Sequence, residues 1–418
     1  MLRLAPLLAC ALPALAACPP PPPPVEGPLR LTVAAPSAPA ADPSDAPPAD
    51  GALAATLPGD VEVFDLGLLG TSGGLTGDIV VEVASGLGAL QVRVWGQPDA
   101  VVVLWRAVSP DGAAVVDDTE PSSLPETHRA FAQGFPAQVF SMNRVFASPQ
   151  SGAFLVPNTP RVSAADGTWR LVVGHFTPGS EAAPTPAPLD RPVRVVVLAS
   201  PVREQGSLPL NLHLTGARGL TAATAPDDSF LQDALTVIRQ SYAQADIEVG
   251  PVSYQDAPVE WQVVDLVDDV CAGGELFDLL RTGAAPSLGL DLFVVEAFTC
   301  RIGPSEVGAS IGGLAGGLSG PAFVQGSSHA GVVIATGFAA GSGTRLGTVA
   351  AHELGHFLGL YHTRESSVFG ADPIFDEIDD TYEDAASIRD NLMFFAVEDS
   401  TTLTADQSAV LRSHPLVQ

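Results

Sequence analysis

HELGHFLGLYH, running from His352 to His362, decides how this chain is read. His352 and His356 are four residues apart, so on a helix they project from one face and their rings can reach a common metal ion. Glu353 stands beside them, where a carboxylate can take up and return a proton. Gly359, lacking Cβ, can adopt the left-handed conformation that ends a helix and reverses the chain. His362 then comes back as a third ligand.

Three neutral histidines leave one position of a tetrahedral zinc ion open, which a structural four-ligand site does not. Zinc in such a site lowers the pKa of bound water from about 15.7 to about 7 and polarises a carbonyl, so hydrolysis needs no covalent enzyme intermediate.

The pattern H-E-x-x-H-x-x-G-x-x-H resembles that of the metzincin clan, which implies a methionine in a tight turn beneath the metal. Met393, in Asp390-Asn391-Leu392-Met393-Phe394-Phe395, fits; the other two methionines are Met1 and Met142. Within the clan, HELGHFLGLYHT followed by Asn-Leu-Met is most similar to the pappalysin or cytophagalysin family. The resemblance runs from about Leu208 to the end. It implies an α+β metzincin-like catalytic domain, a mixed twisted sheet plus active-site helix, over residues 201–418. The implied activity is zinc-dependent endopeptidase action on extracytoplasmic protein or peptide, with Glu353 as general base and then acid. One position departs: astacin-like and serralysin-like members carry tyrosine two residues after the methionine, whereas Phe395 here can neither ligate zinc nor donate a hydrogen bond. Oxyanion stabilisation then falls to zinc or to a group the sequence does not identify.

The N-terminus reads as an export signal over residues 1–17, since the apolar run after Arg3 is too short to span a bilayer and contains Pro6 and Pro13. Leu15-Ala16-Ala17-Cys18 resembles the bacterial lipobox, implying that Cys18 is lipid-modified and tethers the chain outside the cytoplasm, at the periplasmic or cell-surface side of a membrane. The competing reading is an ordinary signal with an incidental cysteine. Pro19 to Pro24 and the Ala/Pro/Asp-rich stretch that follows read as a disordered linker over 18–58.

The formal net charge is −28, and the 19 basic residues are all arginine. Nucleic acid and anionic membrane surfaces are therefore poor partners. Beyond the early cysteines only Cys271 and Cys300 remain; an exported chain favours their pairing, against two unpaired buried thiols. Oligomeric state is not legible.

Short β-rich runs separated by Gly, Pro, Asp and Ser between about Gly59 and Ser200 read as an all-β sandwich-like domain over 59–200, serving as propeptide, binding module or spacer. His128 and His175 there are isolated. The chain is long enough for two cores. In the second region Leu208, Leu210, Leu212 and Leu214 alternate as in a strand, which would place His213 on a polar face. A helix is expected from about Ser229 to Ala245 behind an Asp228 or Ser229 cap, strands at Trp261 to Val264, Leu292 to Phe298 and Gly331 to Thr336, and the histidine helix from about Arg345. The Gly331 to Thr336 strand is expected to be the sheet edge that pairs with extended substrate. His329, at its start, is not counted as a ligand. Asp372, Asp376, Glu377, Asp379, Asp380, Glu383 and Asp384 could hold a Ca2+ ion, although a solvated acidic loop is the plainer reading. Thr404-x-x-Gln407 is a capping-box start for a last helix; His414 beyond it is expected to be exposed. Two alternatives stay open: a non-catalytic surface lipoprotein that binds protein or glycan through its sandwich, and a latent enzyme released by cleavage near Ala199 or Ser200.

Overall fold

In Leu87–Trp95 apolar residues alternate with Gln91 and Arg93, the pattern of a strand with one dry and one wet face. Both faces are nevertheless buried in the computed structural model, which describes residues 28–36, 44, 46–117, 147–177, 187–268, 273–283, 288–365, 374–376, 378–381, 388–396 and 400–418. Leu90, Val92 and Val94 enter a core between two antiparallel sheets. One sheet runs Arg30–Ala34, Ile79–Ser85, Gly167–Thr177, Val101–Val108, Ala114–Asp117; the other runs Glu62–Leu69, Val193–Pro201, Leu87–Trp95, Ser151–Val156. Trp169 and Leu171 of the first sheet share this core with Val195, Val197 and Phe154 of the second.

Ala89 and Trp95, on the other face, belong to the same core as the leucines of Gly206–Leu214 and the helix that carries the histidines. The sandwich keeps its own core between its sheets, and its other face adds Ala89 and Trp95 to the core of the second region. Gln91 makes the polar join: its amide donates to Gly320 O at 2.9 Å and its oxygen accepts from Ala322 N at 2.8 Å. The sandwich thus packs directly against the second region through apolar and polar contacts. Ala199 and Ser200 are fully buried in Val193–Pro201, a strand paired on both sides, so activation by cleavage there would require unfolding the sheet.

The stretch expected to be a disordered linker also contributes structure. Arg30–Ala34 pairs with Ile79–Ser85, and Ala52–Leu53 pairs with Val324–Gln325. A few apolar residues suffice when an existing sheet edge supplies the hydrogen-bond partners. Between these strands Asp50 is buried and accepts from Ser151 Oγ (2.6 Å), Ser328 Oγ (2.5 Å), Ser328 N (3.1 Å), Ser327 Oγ (3.1 Å) and Arg281 Nε (3.3 Å). One carboxylate thereby ties the N-terminal segment, the sandwich and the second region together. Residues 1–27, with the signal and Cys18, lie outside the described residues.

The second region is built on a five-stranded sheet: β1 (Gly206–Leu214), β2 (Ile247–Asp256), β3 (Leu290–Val295), β4 (Gly313–Ala315) and β5 (Val332–Ala335), in the order β2-β1-β3-β5-β4. All pairings are parallel except that of β4 with β5. The leucines of β1 share a core with helices α1 (Ser229–Ala243) and α3 (Gly343–Phe357), while α2 (Glu275–Arg281) packs with Phe293, Val295 and Val333. Asp228 caps α1 by accepting from Leu231 N at 2.9 Å, and α3 starts two residues earlier than expected, behind Ser342. Glycine lets α3 lie close on α1: a Cβ at Gly347 would stand 2.5 Å from Ala234 O.

Several expectations are corrected. His213 is buried, 3.1 Å from Asp291 and stacked on Phe293, because an inner strand of a parallel sheet is covered on both faces. His414 is fully buried against Gly320 O (3.1 Å) and Gln91, and burial pulls its pKa down to about 4. Trp261 lies in a 3-10 turn, Val259–Gln262, before a short strand, Val263–Asp265. The strand before α3 is interior, between β3 and β4; the edge is β4, drawn from a glycine-rich stretch. Among the described residues no helix is long and apolar enough to cross a membrane.

Burial by itself would raise the Asp50 carboxyl, but the His329 imidazole 3.8 Å away and hydrogen bonds from Ser151 and Ser328 outweigh it and hold the group well below the usual carboxylate range. A depressed folded pKa contributes stability above the unfolded value of about 3.9 and loses it as pH falls through the folded one. Asp50→Ala should therefore cost about 3 to 5 kcal/mol at pH 7 in urea denaturation. The gap to wild type should narrow progressively below about pH 4; a gap that stays constant or widens there would contradict this role.

Candidate metal centre

Helix α3 presents His352 and His356 one turn apart, and its end brings back His362. Gly359 has φ +107°, its N–H donates to His356 O at 3.0 Å, and Leu360 N donates to Gly355 O at 2.9 Å. These two bonds are the Schellman closure of a helix C-terminus. Leu155 of the sandwich presses on this turn, since a Cβ at Gly359 would stand 2.8 Å from its Cδ2.

The three histidines, and no other trio of His, Cys, Asp or Glu among the described residues, gather closely enough to hold a metal ion. Their Nε2 atoms lie 3.0–3.1 Å apart. Two nitrogens bound at 2.0–2.1 Å to a tetrahedral zinc stand about 3.3 Å apart, so the donor set fits that ion. Ring orientation is set from behind: His352 Nδ1 donates to Leu392 O and His356 Nδ1 to Leu360 O, both at 2.7 Å. With hydrogen on Nδ1, the Nε2 lone pairs converge, the arrangement a cation requires. Burial, followed by the neighbouring histidines, lowers the pKa of His352 to about 3 and that of His356 well below its ordinary value, which keeps both rings in the neutral, ligating form.

Met393 is fully buried in the turn that follows. Its sulfur packs on Gly355, where a Cβ would stand 2.6 Å from Sδ, and its carbonyl accepts from Thr363 N at 2.9 Å, next to His362. Leu392 N donates to Thr402 O at 2.8 Å. Phe395 is exposed, with its ring 4.6 Å from that of Phe394.

Glu353 is buried, and burial pushes its carboxyl up to about 8, opposed by a hydrogen bond from the Ala315 backbone N–H. That N–H lies on the edge strand β4. Gly312 O accepts from Ala335 N and Gly316 N donates to Gly331 O, so neighbouring backbone groups bond into the sheet while Ala315 N–H serves the carboxylate. A Cβ at Gly313 would stand 2.6 Å from Glu353 Cγ, so the strand approaches this closely only as glycine.

Sequence reasoning could not find the carbonyls of Leu392 and Leu360 or the N–H of Ala315, because every residue has such groups and only the fold selects among them. Cys300 is buried; Cys271 lies outside the described residues. So do Asp372, Glu377, Glu383 and Asp384 of the acidic run. Asp376 is buried, and burial pushes its carboxyl up to about 7, opposed by a hydrogen bond from the Thr381 hydroxyl. His329 lies in the Asp50 network, 2.7 Å from Ser328 Oγ, away from the trio.

No protein-family model and no curated protein matches the chain. Among solved structures it is similar to metalloproteinase-II from Bacteroides fragilis, with 12% identity and a TM-score of 0.27, over 51% of this chain and 60% of that one. It is more faintly similar to a family two carbohydrate esterase from Cellvibrio japonicus, at 6% identity and a TM-score of 0.15, over 56% of this chain and 78% of that one. At such scores neither likeness says what this chain does.

Gly355→Ala should displace Met393, lowering stability by about 1 to 3 kcal/mol in urea denaturation and weakening zinc retention in chelator competition. A variant with unchanged stability and unchanged zinc retention would show that Met393 does not bear on α3.

Proposed function

We propose that this chain is a zinc-dependent endopeptidase, with His352, His356 and His362 as metal ligands, Met393 as the turn beneath them and residues 201–418 as a metzincin-like catalytic domain. The observation that carries this reading is the convergence of three imidazoles, whose Nε2 atoms lie 3.0–3.1 Å apart, beside one buried, backbone-anchored carboxylate. A zinc ion held there supplies Lewis acidity toward a peptide carbonyl and a lowered pKa for the attacking water.

Glu353 takes the proton from that water and returns it to the leaving amine. Burial alone raises its pKa; a dication nearby opposes that shift, bringing the group into the range where it can both accept and release a proton near neutrality. Ala315 N–H fixes the carboxylate's direction. Extended substrate would pair along β4, whose outer side carries no strand among the described residues. A proline at Val333, inside the sheet, would damage the fold rather than test this pairing. With phenylalanine at 395, no hydroxyl stands two residues after the methionine to assist the oxyanion.

The N-terminal sequence adds export and a lipid anchor at Cys18, which would place the site outside the cytoplasm, facing protein or peptide rather than nucleic acid. The acidic charge is consistent with that setting.

Purified wild type should hold one zinc per chain and cleave a denatured-protein substrate in a chelator-sensitive manner. Glu353→Gln should keep the zinc and lose turnover by about 10³-fold or more. Zinc retained by both with cleavage by neither would favour the non-catalytic lipoprotein, and undiminished cleavage by the variant would remove Glu353 from its role.

A further inference from the structure

The carbonyl that orients His352 belongs to a turn whose shape is fixed from the C-terminal helix α4 (Ala405–Ser413). Asn391, just before Leu392, and Gln407, in the first turn of α4, are both buried, Gln407 completely. Their carboxamides bond reciprocally: Asn391 Nδ2 donates to Gln407 Oε1 at 2.8 Å and Gln407 Nε2 donates to Asn391 Oδ1 at 3.0 Å. Each oxygen accepts a second bond, Asn391 Oδ1 from Met393 N at 2.8 Å and Gln407 Oε1 from Thr404 N at 3.0 Å. These four bonds thus fix one orientation for each amide; rotating either would set N–H against N–H at two points.

The surroundings are apolar, with Leu392, Met393, Leu403, Val410 and Leu411 in one core. A hydrophobic pair could fill the space. Only a polar pair also fixes the Met393 N–H, and with it the direction of the adjoining Leu392 carbonyl.

We infer that the Asn391–Gln407 carboxamide pair is a positioning device for the metal site, transmitting the placement of the C-terminal helix through the methionine turn to His352. This rests on reading the histidine trio as a zinc site. Groups that orient metal-bound histidines from behind typically contribute about 10–100-fold to metal affinity.

The test uses the full mature chain and two readouts, zinc affinity by chelator competition and the visible absorption of the Co2+-loaded protein. Gln407→Glu keeps the acceptor for Thr404 N, and so the capping box, but removes the N–H given to Asn391. Asn391→Asp keeps the acceptor for Met393 N but loses the N–H given to Gln407. Each should weaken zinc binding by about 10–100-fold and shift the Co2+ bands, while a folded far-ultraviolet signal is retained. Either folded variant with wild-type zinc affinity and an unchanged Co2+ spectrum would reduce the pair to a helix cap and overturn the inference. Failure of the wild type itself to bind zinc would remove the metal reading, and the inference with it.

Discussion

Three imidazole lone pairs directed at one point form an arrangement that neutral rings do not adopt without support. The protein holds them from outside, with backbone carbonyls on the far nitrogens of His352 and His356 and burial that keeps both rings uncharged. Other features of the second region serve to bring those carbonyls into place. The Schellman turn at Gly359 delivers Leu360 O, and the methionine turn delivers Leu392 O.

The supports extend beyond the region that carries the motif. Leu155 of the sandwich packs on the Gly359 turn, and Gln91 holds the segment from Gly320 to Ala322 while contacting His414 beyond α4. Tyr242 of α1 donates to Ala351 O, immediately before the first histidine, at 3.1 Å. Asp50 closes the arrangement by fastening a segment nearly three hundred residues away in sequence onto Ser327 and Ser328. The β-sandwich and the segment before it are thus structural partners of the site, joined to it through a common core.

What was legible in the sequence was local. The helical spacing of His352 and His356, the caps at Asp228 and Thr404 and the turn at Gly359 depend on neighbours a few residues away, and each is present. What was illegible depended on tertiary cover. His213 and His414 are polar residues at positions that look exposed until a second layer buries them. Gln91 and Arg93 give their strand an amphipathic pattern that the adjoining region fills from the other side. The edge strand β4 was hidden because Gly313-Leu314-Ala315 has little intrinsic strand preference; glycine is there because Glu353 lies too close for a side chain.

The central claim concerns the coordination of a metal by three histidines with an open position, and X-ray absorption at the zinc edge of the zinc-loaded full chain tests it most directly. The account predicts three imidazole nitrogens at about 2.0–2.1 Å with one or two further oxygen scatterers and no sulfur. A sulfur shell near 2.3 Å, or an oxygen-rich shell without imidazole scattering, would contradict it.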